Sequence, residues 1–133
     1  MNTLFKTMLF AGLALAAAAA NAEVVVIVSA KSTATTMTAD DIANIYLGKS
    51  TAMKPVDNAT PVRAQFYTAV AGKDEAQVKA IWSKLVFTGK ATPPKELPSS
   101  AEVVKAVAAD PNAIGYVDKA SIDGSVKVVY EVK

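Results

Sequence analysis

The sequence predicts an α/β domain in three layers, a mixed sheet flanked by helices, and three observations carry that expectation. Residues 24–28 are an unbroken β-branched run with no polar alternation, the pattern of a strand covered on both faces. Further along, stretches with apolar residues three and four apart, opened by Thr, Asp or Ser, read as helices. Extended segments at 113–117 and 126–132 then return to the sheet, so strands and helices interleave as in an α/β sandwich.

The elements follow in chain order. After the first strand, Ser29, Ser32, Thr33, Thr35 and Thr36 make a hydroxyl-rich loop. Thr38, with Asp40 and Asp41 behind it, caps a helix whose Ile42, Ile45 and Tyr46 share one face, and Gly48 stops it. A second extended piece is predicted around 53–57. Thr60 is expected to be the N-cap and Pro61 the first residue of a helix that turns Val62, Phe66, Tyr67 and Val70 inward and ends near Gly72. Asp74 caps the next helix, in which Val78, Ile81, Trp82 and Leu85 form the buried stripe before Gly89, and Trp82 is read as core packing.

Residues 90–98 contain Pro93, Pro94 and Pro98 and are expected to be a loop. Ser99 to Glu102 has the spacing of a capping box, opening a helix with Val103, Val104, Val107 and Ala108 on its buried side until Asp110-Pro111 breaks it. The strand at 113–117 contains Gly115, which permits close backbone approach. Asp123-Gly124 is a turn before the alternating strand of Val126, Val128, Tyr130 and Val132, where antiparallel pairing can enter the sheet.

Composition divides the chain in two. Of 133 residues, 52% are hydrophobic, but the excess is concentrated in the first 22, where Lys6 precedes an alanine-rich apolar run ending Ala20-Asn21-Ala22. This is the pattern of a secretory signal peptide, with cleavage expected between Ala22 and Glu23. The apolar stretch is short for a bilayer span, so no membrane anchor is expected. The mature domain, residues 23–133, is predicted to be a single unit outside the cytoplasm, with a periplasm as the expected compartment. With no Cys and no His, disulfides, thiolate and imidazole catalysis and the usual zinc ligand sets are excluded. The net charge of +2 indicates neither a nucleic-acid footprint nor a polybasic membrane patch, and nothing points to a cofactor.

Two segments are candidates for chemistry. At Thr60, Val62 and Arg63, a helix start offers backbone N–H groups and a positive dipole end, while Arg63, the only arginine, has a planar fork suited to phosphate or carboxylate. The plainer alternative is that Thr60 only caps its helix and Arg63 is solvated. At Ser32 and Thr33, hydroxyls after a central strand can surround an oxyanion with neutral donors, or simply make a polar turn. The acid pairs Asp40-Asp41 and Asp74-Glu75 are ordinary helix-start acids, and no nucleophile with a matching base can be named, so an enzyme is not expected.

Several pieces together resemble the phosphate-binding substrate-binding proteins of ABC transporters, in particular their small single-domain relatives: residues 45–49 (IYLGK), 63–67 (RAQFY), Trp82 followed by Phe87-Thr88-Gly89, Pro94, and 112–117 (NAIGYV). The resemblance implies one lobe of a type II periplasmic-binding-protein fold. It further implies a periplasmic, non-catalytic protein binding inorganic phosphate or a similar oxyanion through Ser32, Thr33, Thr60, Val62 and Arg63, in association with a phosphate transporter or with phosphate sensing. Thr60 falls where the family serine would be, and Arg63 at the position just after that turn. One lobe leaves an oxyanion partly hydrated, which implies weak binding or binding completed by a second chain. The alternative is a ligand-free module of the same fold that contacts a transporter permease or another envelope protein.

Overall fold

The computed structural model of the protein describes residues 23–133; the predicted signal segment and Ala22 lie outside them. Five strands form one mixed sheet in the order β3-β2-β4-β1-β5. They are β1 (Val24–Ser29), β2 (Lys54–Asn58), β3 (Lys95–Leu97), β4 (Ala113–Asp118) and β5 (Val126–Glu131). β2 runs parallel to both β3 and β4, whereas β1 is antiparallel to β4 and to β5. The β-branched run of β1 is buried at every position, as its lack of alternation requires.

Helices cover the two faces of this sheet. On one face lie α1 (Ala39–Tyr46), α2 (Val62–Phe66) with the single π-turn Tyr67–Ala71 that continues it, and α3 (Glu75–Phe87). Their Ile42, Tyr46, Phe66, Tyr67 and Trp82 pack with Val24, Val26, Val28, Ile114 and Tyr116. On the other face α4 (Ser100–Ala109) sets Val103, Val104 and Val107 against Val25, Ile27, Val56 and Val117. The three-layer α/β architecture expected from the sequence is the one observed. Gly115 lets α4 approach: a Cβ there would stand 2.7 Å from Val103 and 2.9 Å from Val107.

The caps follow the sequence at three helices. Thr38 and Asp41 form a capping box for α1, Asp74 and Gln77 form one for α3, and Ser99 accepts the Glu102 amide at the start of α4. α2 starts differently. Pro61 is its N-cap residue in a helical conformation, and the Thr60 carbonyl rather than its hydroxyl receives the Arg63 N–H, at 3.1 Å. Thr60 is therefore not the side-chain cap that was expected: the helix opens one residue later, at Val62, and the cap position falls to Pro61, whose ring fixes a helical φ and offers no side-chain acceptor.

Two further elements depart from the sequence reading. Residues 95–97, expected to be loop, form the edge strand β3 because the open side of β2 accepts them in parallel register, Val56 opposite Lys95 and Asn58 opposite Leu97. The alternation expected along β5 breaks at a register shift opposite Val26 and Ile27. The bulge turns Val129 into the core under α1 to α3, on the face opposite Val126, while Val128 comes to the surface.

Candidate functional site

The site is built at the carboxyl ends of the parallel strands, where α2 and α4 begin. Asp57 and Asn58 close β2. Asn58 is fully buried: its amide nitrogen donates to the Ser100 hydroxyl (3.1 Å) and the Tyr116 carbonyl (3.0 Å), and its amide oxygen accepts the Thr60 N–H (3.1 Å). One side chain thus joins β2, β4, the start of α4 and the turn into α2. The neighbouring Asp57 points to the opposite face, as strand alternation dictates. There its carboxylate accepts hydrogen bonds from the phenols of Tyr67 (2.9 Å) and Tyr116.

Those phenols belong to a packed aromatic group. Phe66 and Tyr116 stack with centroids 3.9 Å apart, and Tyr46 meets both edge-on. The Tyr46 hydroxyl donates to the carbonyls of Val56 (2.8 Å) and Ile114 (3.1 Å), and the Trp82 indole N–H donates to the Tyr46 carbonyl (2.7 Å). Burial, with the nearby charge of Asp57, raises the pKa of Tyr46 and Tyr67 above the ordinary phenol value. Burial, with Tyr67 and Asp57, does the same to Tyr116.

Arg63 lies over Asp57 and is surrounded by acids. Its Nε donates to Glu75 at 2.8 Å, and one terminal nitrogen stands 3.3 Å from Glu96 and 3.7 Å from Asp57. Partial burial works against the guanidinium charge, but the hydrogen bond to Glu75 and the charges of Asp57 and Glu96 outweigh it, so its pKa lies above the usual arginine value. The same residues form the floor of a cleft of about 630 Å³ whose walls are Val78, Trp82, Val86 and Phe87 of α3 and Pro93 and Pro94.

Of the five predicted oxyanion residues, the fold brings three together and separates two. Thr60, Val62 and Arg63 sit at this end. The Thr60 hydroxyl is buried with no hydrogen-bond partner among the described residues, and Val62 turns its side chain into the core, leaving only its backbone for recognition. Ser32 and Thr33 follow β1, which is antiparallel to β4 and therefore finishes at the opposite end of the strands. There the Ser32 hydroxyl accepts its own Ala34 N–H (3.1 Å), its carbonyl receives the Lys127 ammonium (2.7 Å), and Thr33 is exposed. A single site containing all five does not form.

The sequence reading assigned no site role to Asp57, Tyr67, Tyr116, Glu75 or Glu96. Glu75 stood in a helix first turn, where the dipole alone accounts for an acid, and Glu96 lay in what read as loop. Only the strand periodicity of Asp57, on the face opposite buried Val56, pointed inward.

No family model and no curated protein matches the sequence. Solved structures do match in fold. An ABC-type phosphate transport receptor from Vibrio cholerae superposes with a TM-score of 0.63 at 16% identity, over 81% of this chain and 45% of the other. A putative phosphate ABC transporter substrate-binding protein from Clostridium perfringens, with bound phosphate, gives 0.65 at 20%, over 81% and 44%. PstS from Borrelia burgdorferi gives 0.60 at 14%, over 81% and 46%. The chain thus spans less than half the length of these structures, and it has the fold of one lobe of the phosphate ABC transporter substrate-binding proteins.

Proposed function

We propose that the chain is a non-catalytic, exported binding module that works in the cell envelope by docking on a protein of the transport or sensing machinery, without capturing free phosphate. The observation that supports this reading is the state of Arg63. The one arginine that could fork onto a phosphate already faces Glu75, Glu96 and Asp57. A phosphate placed there has to displace the 2.8 Å bond to Glu75 and approach three carboxylates. A like charge about 4 Å away opposes it by about 4 kcal/mol near a protein surface, falling toward about 1 kcal/mol in bulk water. Glu75 and Glu96 are half exposed, so the lower part of that range applies to them, but Asp57 is largely covered.

Export follows from the signal-peptide pattern of residues 1–22. It also agrees with the fold neighbours, which by name are a phosphate transport receptor and a putative phosphate ABC transporter substrate-binding protein. Among the described residues no helix is long and apolar enough to cross a membrane. Isothermal calorimetry with inorganic phosphate tests the reading: no saturable heat is expected at millimolar ligand, and a heat that disappears in Arg63→Ala would overturn it.

One observation favours a second reading, in which the oxyanion site survives in reduced form. The Thr60 hydroxyl is buried without a partner beside Arg63, and a buried polar atom of this kind is satisfied by a bound group. Rotation of Glu75 away from Arg63 would then open a weak phosphate site of Thr60, Val62 and Arg63. The same calorimetry separates the two readings, and Thr60→Val should abolish any heat that belongs to this one.

A further inference from the structure

The cleft beside Arg63 has apolar walls that the fold itself does not need. α3 buries Val78 and Trp82, yet its last turn holds Val86 and Phe87 outward, at 46% and 91% exposure. Pro93 and Pro94 line the same cleft, whose volume is about 630 Å³. A Phe left almost wholly in water, beside a second exposed apolar residue and a cleft of ligand-site size, marks an interaction surface more than an ordinary scattered hydrophobic.

The charges below these walls decide what fits. Asp57, Glu75 and Glu96 face the cleft against Arg63 and Lys79, so carboxylates outnumber cations there although the whole chain is net positive. Glu75 and Glu96 keep 46% and 58% of their side-chain surface exposed while paired with Arg63, so their second oxygens stay within reach of an incoming cation. Extended strand addition along β3 is limited, because Pro94 and Pro98 bracket its three residues and remove N–H donors. Recognition here therefore depends on side chains. No group of acidic side chains among the described residues has the arrangement of a metal site, which leaves an organic cation.

We propose that this cleft docks a segment of a partner protein in which apolar and basic side chains adjoin, the apolar ones on Val86, Phe87 and Pro93 and a lysine or arginine on Glu75 and Glu96. The proposal rests on the reading of the chain as a docking module and adds the chemistry of what it docks.

The test uses two fluorescein-labelled synthetic peptides of equal length, one carrying leucines and arginines separated by serines, the other with each arginine replaced by glutamate. Fluorescence anisotropy should show saturable binding of the arginine peptide, at least tenfold weaker binding of the glutamate peptide, and about a tenfold loss in Phe87→Ser. Phe87 is exposed, so this variant keeps its core. The double variant Glu75→Lys/Glu96→Lys should reverse the preference between the peptides. Equal affinity for both peptides, no saturation of either, or indifference to Phe87→Ser overturns the proposal. So does a concentration-dependent dimer in sedimentation that Phe87→Ser abolishes, which would assign the cleft to a second copy. A phosphate heat lost in Arg63→Ala strikes instead at the docking-module reading, so the two failures are distinguishable.

Discussion

The two ends of the sheet hold similar residue types and organise them in opposite ways. At the carboxyl ends of β2 and β4, polar groups bond across the chain: Asn58 to Ser100 and Tyr116, Tyr116 to Asp57, Arg63 to Glu75 and Glu96. At the carboxyl end of β1 most polar bonds are made within two residues: the Lys31 N–H to Ser29, the Ala34 N–H to Ser32, the Ser125 N–H to Asp123. The bonds that do reach across there involve the main chain or the surface: the Lys127 ammonium on the Ser32 carbonyl, the Ser29 hydroxyl on the Ala108 carbonyl, the Ala30 N–H on the Ser125 carbonyl, and the exposed pair of Lys54 and Asp110. The first arrangement locks distant parts of the chain over buried aromatics, and the second is turn chemistry. Which end is the interlocked one follows from β1 running antiparallel to β4.

Alkali should expose this contrast most strongly. Tyr46, Tyr67 and Tyr116 have folded pKa values raised above the ordinary 10.0. Above pH 10 the unfolded chain releases these protons and the native chain keeps them, so the unfolded state binds fewer protons and stability falls as pH rises. Below pH 10 the contribution is fully present. Three such groups give a loss of about 4 kcal/mol per pH unit once the unfolded phenols have ionised. Urea melts at successive pH values, read with phenolate absorbance, should show ionisation coinciding with unfolding. In Tyr67→Phe the slope should drop by about a third. With Tyr130 of β5 replaced by Phe, phenolate absorbance that rises before unfolding would break the contrast, since the interlocked end would then be open to hydroxide.

Asn58→Ala is expected to have the next largest effect. It strands the Thr60 N–H and removes both donors that tie β2 to β4 and to the start of α4. Its cost should be about 2–4 kcal/mol in urea denaturation, the range for breaking a buried polar network. Arg63→Ala should cost less, about 1 kcal/mol, because Glu75 and Glu96 are half exposed and their pairing is screened. The Arg63 deficit should shrink at high salt, whereas that of Asn58 should not. A salt-independent loss at Arg63 would mean that Asp57 beneath it carries most of the pairing.

Most of the fold could be read in the sequence because its signals are local. The N-caps at Thr38 and Asp74, the β-branched run of β1 and the close approach at Gly115 each depend on a few neighbouring residues, though of the capping box expected at Ser99 and Glu102 only the Ser99 half forms. β3 could not, because Lys95-Glu96-Leu97 has no strand pattern of its own and pairs only because β2 presents an open edge. The site was half legible for the same reason. Thr60, Val62 and Arg63 announce a helix start, but the acids that occupy Arg63 come from α3 and β3. The placement of Ser32 and Thr33 away from them depends on strand direction, which composition does not encode.

The smallest predicted effect tests the other half of the comparison. Ser32 is buried and sits in a hydroxyl-rich loop after a central strand, so by residue type it rivals Asn58 as a structural polar group. Its hydroxyl, however, receives only the Ala34 N–H two residues away, while the longer-range bond from Lys127 goes to its carbonyl, which any residue retains. Ser32→Ala should therefore cost only about 0.5–1 kcal/mol, the net worth of one hydrogen bond. It should leave binding at the cleft unchanged in the peptide assay, since the two lie at opposite ends of the strands. A loss as large as that of Asn58→Ala would show that the loop is held by its side chains after all, and that bond range along the chain does not separate locking contacts from turn contacts in this fold.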